Sequence, residues 1–208
     1  PPFVAIMSNG TSGDCNNINF RTVSAPEPPY ARIHRVANDL ADVAHSVYQK
    51  MEWRDSVPLK SAQQEIKLGV RLPKKEELEN ARAALAKAKA NGQLAGWSPE
   101  VYARETVLLG EFPAHVPLTL QAHRIGDLAI AAIPCEVFAE TGLELKKRSP
   151  FQQAFTIELA NGYNGYLPTP AQHKLGGYET WRSRASYLEV DASVKIVDTI
   201  TALFERLK

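Results

Sequence analysis

The stretch Leu159-Ala-Asn-Gly-Tyr-Asn-Gly-Tyr-Leu-Pro-Thr-Pro170 limits what this chain can fold into more than any other. It follows the apolar run Ala154-Phe-Thr-Ile-Glu-Leu159, which reads as a strand. Glycine and asparagine supply the left-handed backbone of sharp turns, and the two prolines cannot continue a ladder. The strand before it cannot continue through it. A rigid loop carrying Tyr163 and Tyr166 at a strand end suits a binding site, and equally a surface turn with two packed tyrosines.

The rest of the chain supplies the elements. Val116 to Arg124 and Leu128 to Ile133 are strand-like, and the short Ile125-Gly126-Asp127 joint predicts an antiparallel hairpin. Phe3 to Met7 reads as a buried strand, and Glu65 to Leu72 as a half-buried strand stopped by Pro73. Ile33, Val36, Leu40, Val43, Val47 and Met51 mark one face of a helix opening at Pro28 or Pro29. A charged, alanine-rich helix is predicted over 74–91, with Leu78, Ala81, Leu85 and Ala88 as its stripe and Gly92 as its stop. Ser98-Pro99-Glu100 starts a helix to about Leu109, with Ser98 as N-cap. Another helix runs from Val137 to about Arg148. The last begins near Asp191, with Val194, Val197, Ile200, Leu203, Phe204 and Leu207 on one face. Irregular alternation of strands and helices with one hairpin gives an α/β or α+β fold with a mixed sheet and flanking helices.

At 208 residues the chain is expected to form a single domain, and it is long enough to bury a core without disulfides. The net charge of +1, with no basic stripe among aromatics, argues against nucleic acid as partner. No 18-residue apolar run predicts a transmembrane segment. Two cysteines, Cys15 and Cys135, do not fix the redox compartment. His34 and His45 lie eleven apart on one helix, three turns that no shared metal can bridge.

Three positions carry candidate chemistry. The loop Ser8 to Asn19 holds Asp14, Cys15 and Asn16, with glycines that let backbone approach a ligand closely. Glu136 stands between a strand and a helix, where active-site groups of α/β folds sit. The residue pattern alone accounts for it more simply as a complement to the helix dipole. The third position is the tyrosine loop itself.

Asn9 to Asn17, Ile133-Pro-Cys-Glu136 with Val137 to Gly142, and Asn161 to Pro170 with Gly177-Tyr178-Glu179 occur in the order and spacing of three motifs. Together they resemble the neutral/alkaline, non-lysosomal ceramidases, whose corresponding motifs are Gly-Asp-Val-Ser-Pro-Asn, Pro-Gly-Glu-Phe and Asn-x-Tyr-x-x-Tyr-x-Thr-Thr. Residues from about Phe20 to Gly110 align with nothing in that pattern. The resemblance implies a zinc amidase that cleaves the N-acyl bond of ceramide or a related lipid amide, with zinc-bound water as nucleophile. It implies Glu136 and Tyr166 as metal ligands, Asp14 and Asn16 as catalytic residues, and Asn16, Tyr163 and Tyr178 as substrate-binding residues. The alternatives are a hydrolase of another small N-acyl compound and a non-catalytic relative that binds a ligand in the same pocket.

Two departures shape what is expected. The family's two zinc histidines precede the Gly-Asp loop, and His115, His123 and His173 do not match them. The start at Pro1, without an initiator methionine, fits the C-terminal portion of a larger catalytic domain whose N-terminal half is its partner. The implied location is extracellular or periplasmic, any secretion signal lying in the absent part. The family's loop serine is Asn16 here, which can bond a substrate but cannot attack it. Cys15 as nucleophile would need a nearby base, and no histidine pairs with it in sequence. Cys15 and Cys135 are expected to lie near each other as buried thiols.

Overall fold

The computed structural model describes residues 4–23, 25–90 and 99–208. The chain divides into two compact units. One is Asn16–Val57, and the other joins Pro1–Cys15 to Pro58–Lys208.

The larger unit is built on a four-stranded mixed sheet in the order β1-β2-β3-β5. β1 is Leu59–Gly69, β2 His115–Ile125, β3 Leu128–Ile133, β4 Glu136–Val137 and β5 Gln153–Glu158. β1–β2 and β2–β3 are antiparallel, and β3–β5 is parallel. The predicted hairpin forms, with Ile125 opposite Leu128 and Gly126 at φ +60° in the turn. Such a conformation is easy only for glycine and a few small polar residues. The parallel crossover from β3 to β5 passes through β4 and the helix α4 (Ala139–Arg148), so the strand–loop–helix joint at Glu136 lies at one end of the sheet.

Alternation along the strands sends Leu118, Leu120, Ala122, Ala129, Ala131 and Ile133 into the core. The last helix, α6 (Ala192–Arg206), which follows the short α5 (Pro170–Leu175), covers them with Ile196, Ile200, Leu203 and Phe204. Each fully buried side chain of this size contributes about 1.5–3 kcal/mol of burial. The opposite face carries Ser61, Gln63, Gln121 and His123, and the Ser61 hydroxyl lies 2.9 Å from His123 Nδ1. Helices α2 (Lys75–Ala90) and α3 (Pro99–Leu109) pack on each other. α4 (Ala139–Arg148) lies against β5 and α6.

The smaller unit holds α1 (Ala31–Tyr48), preceded by Tyr30 at φ +67° rather than by a first-turn proline. Arg35 pairs with Glu27 at 3.0 Å, and Arg32 donates to the Asn17 carbonyl at 2.9 Å. The helix forms where its period predicts. Its apolar side chains Ile33, Leu40, Val43 and Val47 are exposed.

Several expectations are corrected. Val4 to Met7 form no strand, and Val4, Ile6 and Met7 are exposed; an apolar run becomes a buried strand only when a neighbour offers its ladder. Phe3, Gly92 and the Ser98 cap lie outside the described residues. β1 starts six residues before Glu65 and ends at Gly69. Its first half, Leu59 to Gln64, has only Leu59 and Ala62 as apolar residues, three apart, so no alternation announces it, and β2 recruits it by backbone pairing. α4 begins at Ala139, because Val137 pairs in β4. Val194 is 46% exposed, and Ile196 takes the buried place on α6. Cys135 is buried but Cys15 is exposed, and both are free thiols.

Candidate functional site

The site grows from the way the chain leaves β5. Leu159 and Asn161 adopt φ of +54° and +63°. A leucine in this region is strained by roughly 1–3 kcal/mol and persists only where its surroundings hold it. The holding groups are the carbonyls of the segment before Glu136. Leu159 N–H donates to Cys135 at 3.1 Å, Ala160 N–H to Ile133 at 3.1 Å, and Asn164 N–H to Pro134 at 2.8 Å. Asn164 Nδ2 also donates to Pro134, at 3.0 Å. Glu136 N–H returns to Gly165 O at 2.9 Å. β6 (Tyr166–Leu167) then pairs in parallel with β4, setting Glu136 opposite Tyr166.

A second wall comes from residues 180–188. Tyr166 N–H donates to Ala185 O at 2.8 Å, and the Tyr187 hydroxyl to Asn164 Oδ1 at 2.7 Å. Arg71, just past β1, holds this wall. Its guanidinium donates to the carbonyls of Thr180, Ser186 and Leu188 and to the Ser186 hydroxyl, all at 2.7–2.9 Å. Burial, with Arg182 nearby, lowers the pKa of Arg71 to about 10. It stays a cation at neutral pH.

Gly165 sits between the two walls at φ +73°, where a β-carbon would stand 2.4 Å from Ala185 O. Gly165→Ala should therefore lower stability by about 3 kcal/mol or more, adding a clash to the left-handed penalty. Urea unfolding checks this, and an unchanged midpoint would show that the two walls are free to separate.

Glu136, Tyr163, Tyr166 and Tyr178 line one cavity of about 570 Å³, together with Tyr102, Glu105 and Arg184. The Tyr163 hydroxyl donates to Glu136 Oε1 at 3.0 Å. Tyr166 meets Tyr178 edge to face, with centroids 5.8 Å apart. Burial, hydrogen bonding to Tyr178 and the Glu136 charge all push the Tyr166 phenol well above its ordinary range. Tyr163 is pushed up to about 12 by burial and by Glu136. On the far side, Arg184 grips the Glu105 carboxylate through Nε at 2.8 Å and an Nη at 2.9 Å, and holds the carboxyl low.

These shifts carry a stability consequence. A tyrosine raised from 10 to about 12 stabilises the fold fully below pH 10, and that contribution disappears as pH rises through 12. Tyr163 and Tyr187 both belong to this class. The urea midpoint should fall between pH 10 and 12, and less steeply in Tyr163→Phe and Tyr187→Phe than in the wild type. Identical slopes in all three proteins would contradict these assignments.

The first motif reaches the site through backbone. Gly13 N–H donates to Val137 O at 2.9 Å, and a β-carbon on Gly13 would stand 2.5 Å from the Glu136 carbonyl. Asp14 Oδ1 accepts the Ala139 N–H at 2.8 Å, at the N-terminus of α4, where a carboxylate is favoured. Asn16 opens the smaller unit. His115, His123 and His173 are not among the cavity-lining residues.

Four residues that line the cavity or hold its walls have no signal in the sequence reading: Arg71, Glu105 and Arg184, and Glu158, whose carboxylate accepts the Val137 N–H beside Glu136. The buried Glu158 was legible only as a polar residue in an apolar run. The other three act across distances that leave no local pattern.

Glu136 and Tyr166 are chemically suited to zinc, which accepts oxygen donors, but two ligands complete only half of a tetrahedral shell. Among the described residues no group of three or more His, Cys, Asp or Glu is placed to hold a metal ion. No described helix is long and apolar enough to cross a membrane.

No protein-family model matches the chain, and no curated protein matches it by sequence. Among solved structures it is similar to the neutral ceramidase from Pseudomonas aeruginosa, at a TM-score of 0.62 and 18% identity over 98% of this chain. A ceramidase complexed with C2 overlaps 55% of this chain and 20% of its own at 16% identity, with a TM-score of 0.41 too low to carry weight. At such identities the likeness concerns the fold. This chain spans 38% of the length of the Pseudomonas aeruginosa structure. In its fold, the chain is a neutral-ceramidase-like domain.

Proposed function

We propose that this chain is the C-terminal portion of a ceramidase-like, zinc-dependent amide hydrolase acting on the N-acyl bond of ceramide or a related lipid amide. The observation that carries the reading is the pairing of Glu136 with Tyr166 across β4 and β6, in a tyrosine-walled cavity of a neutral-ceramidase-like fold. Glu136 and Tyr166 are the two oxygen ligands this chain offers, and the remaining ligands come from sequence outside it. A zinc ion held there would supply a Lewis acid for the amide carbonyl and favour deprotonation of a water.

The chain's own residues prepare that site. Tyr163 donates to Glu136 and so fixes the rotamer of its carboxylate. Tyr166 is protonated in its present surroundings, and a dication beside it would favour the phenolate. Tyr163 and Tyr178 present aromatic surface to the apolar part of a substrate. Asp14 anchors the first motif to α4, and Asn16 orients the amide by hydrogen bonding. The protein works outside the cytoplasm, where its lipid substrate is reached from the aqueous side.

The test is fatty-acid release from ceramide by the full-length protein and by the 208-residue chain, at fixed zinc. The full-length protein should turn over, whereas the chain alone should bind zinc weakly and remain inactive. Asn16→Ala should cost about 0.5–1.5 kcal/mol of activation free energy, the worth of one hydrogen bond. Zinc-dependent turnover by the chain alone would show that the ligands are misassigned. Inactive wild type with activity gained in Asn16→Ser would instead identify a relative that binds its ligand without cleaving it.

A further inference from the structure

Glu158 ends β5 and is 4% exposed. Its Oε2 accepts the Val137 N–H at 2.8 Å and the Ser12 N–H at 3.2 Å, and its Oε1 accepts the Ser12 hydroxyl in a short contact. Its own N–H donates to the Asn9 carbonyl at 3.2 Å. Val137 directly follows Glu136, and its carbonyl receives Gly13 N–H. One carboxylate therefore joins three segments far apart in sequence: the Asn9–Cys15 loop, the joint at Glu136, and the head of the tyrosine loop.

We propose that Glu158 is a positioning residue of the candidate site, its carboxylate fixing where Glu136 and the Gly13–Asp14 turn stand relative to each other. The inference rests on the reading of Glu136 as a site residue. Its physical basis is a shortage of acceptors. β4 has only two residues, and the acceptor of the Val137 N–H is the Glu158 carboxylate. A buried N–H without an acceptor costs the full desolvation of that group. A carboxylate has two oxygens and about four lone-pair directions, so it serves three donors at once. Shortening the side chain to Asp would leave it a methylene short. Glutamine can nearly replace it: its oxygen accepts both N–H groups, and its NH₂ donates to the Ser12 oxygen. Glu158 is not among the residues lining the cavity, so its effect passes through the backbone at Val137.

The experiment compares full-length wild type, Glu158→Gln, Glu158→Ala, Ser12→Ala and a core control, Leu203→Ala. It reads amide hydrogen exchange in segments 9–15 and 133–138, and zinc affinity. Local exchange reports local opening separately from global stability. Glu158→Ala should exchange about tenfold or more faster in both segments and bind zinc about tenfold more weakly, while Glu158→Gln stays within roughly threefold of wild type. Leu203→Ala should lose stability without that local signature. If Glu158→Ala does not fold, Ser12→Ala and Glu158→Gln carry the comparison. Ser12→Ala should then open segment 9–15 selectively, with Glu158→Gln close to wild type. Wild-type exchange in Glu158→Ala, or in Ser12→Ala if that variant decides, would overturn the proposal. So would the same local pattern in Leu203→Ala. Absence of zinc binding in wild type would sink the metalloenzyme reading alone, with the exchange data still deciding the role of Glu158.

Discussion

Replacing Glu136 with alanine is expected to lower amide hydrolysis by the full-length protein by about three orders of magnitude or more, roughly 4 kcal/mol of barrier. The effect should be chemical rather than structural. The Glu136 backbone, not its side chain, ties the joint to the tyrosine loop, through its N–H to Gly165 O and through pairing with Tyr166. Glu136→Ala should therefore fold with a near-normal urea midpoint. Tyr163→Phe removes only the hydroxyl that orients the carboxylate, and a loss of about 10–100-fold is expected, the usual cost of deleting a partner behind a metal ligand. Fatty-acid release at fixed zinc measures both variants. Equal rates in wild type and Glu136→Ala would remove this carboxylate from the chemistry.

The largest structural effect should come from Arg71→Ala. Four hydrogen bonds from one cation disappear, and the carbonyls of Thr180, Ser186 and Leu188 lose that donor inside a packed wall. Bonds to a charged group contribute about 1.5–3 kcal/mol each and do not add in full, so a loss of about 3–5 kcal/mol is expected in urea unfolding. Lysine should recover little, because one ammonium cannot span acceptors that a planar fork reaches together. The loss should extend to the site, because the same wall accepts Tyr166 N–H at Ala185 and supports Asn164 through Tyr187. A loss below about 1 kcal/mol would mean that the wall stands without Arg71.

Local signals told in the sequence where chemistry is local. The Gly126-Asp127 turn announced its hairpin, helical periods announced α2 and α6, and the Ser-Pro-Glu start announced α3, each to within a few residues. The three motifs that resemble ceramidases led to Glu136, Tyr163, Tyr166 and Tyr178, which the fold brings to one cavity. Long-range pairing was not legible. Ser12 and Glu158 are 146 residues apart, and Arg71 lies more than 100 residues from each of its acceptors. No period or spacing encodes such a bond. The first half of β1 shows the same limit, since its place comes from the ladder of β2 rather than from its own side chains. Val4 to Met7 show the converse, apolar residues without a partner strand.

The central claim is that Glu136 and Tyr166 together hold a metal ion. Zinc content and affinity of the full-length protein test it most directly, measured after dialysis against excess zinc for wild type, Glu136→Ala and Tyr166→Phe. About one zinc per chain is expected in the wild type, with affinity reduced by at least about tenfold in each variant. Zinc bound equally by all three proteins, or none bound by the wild type, would contradict it.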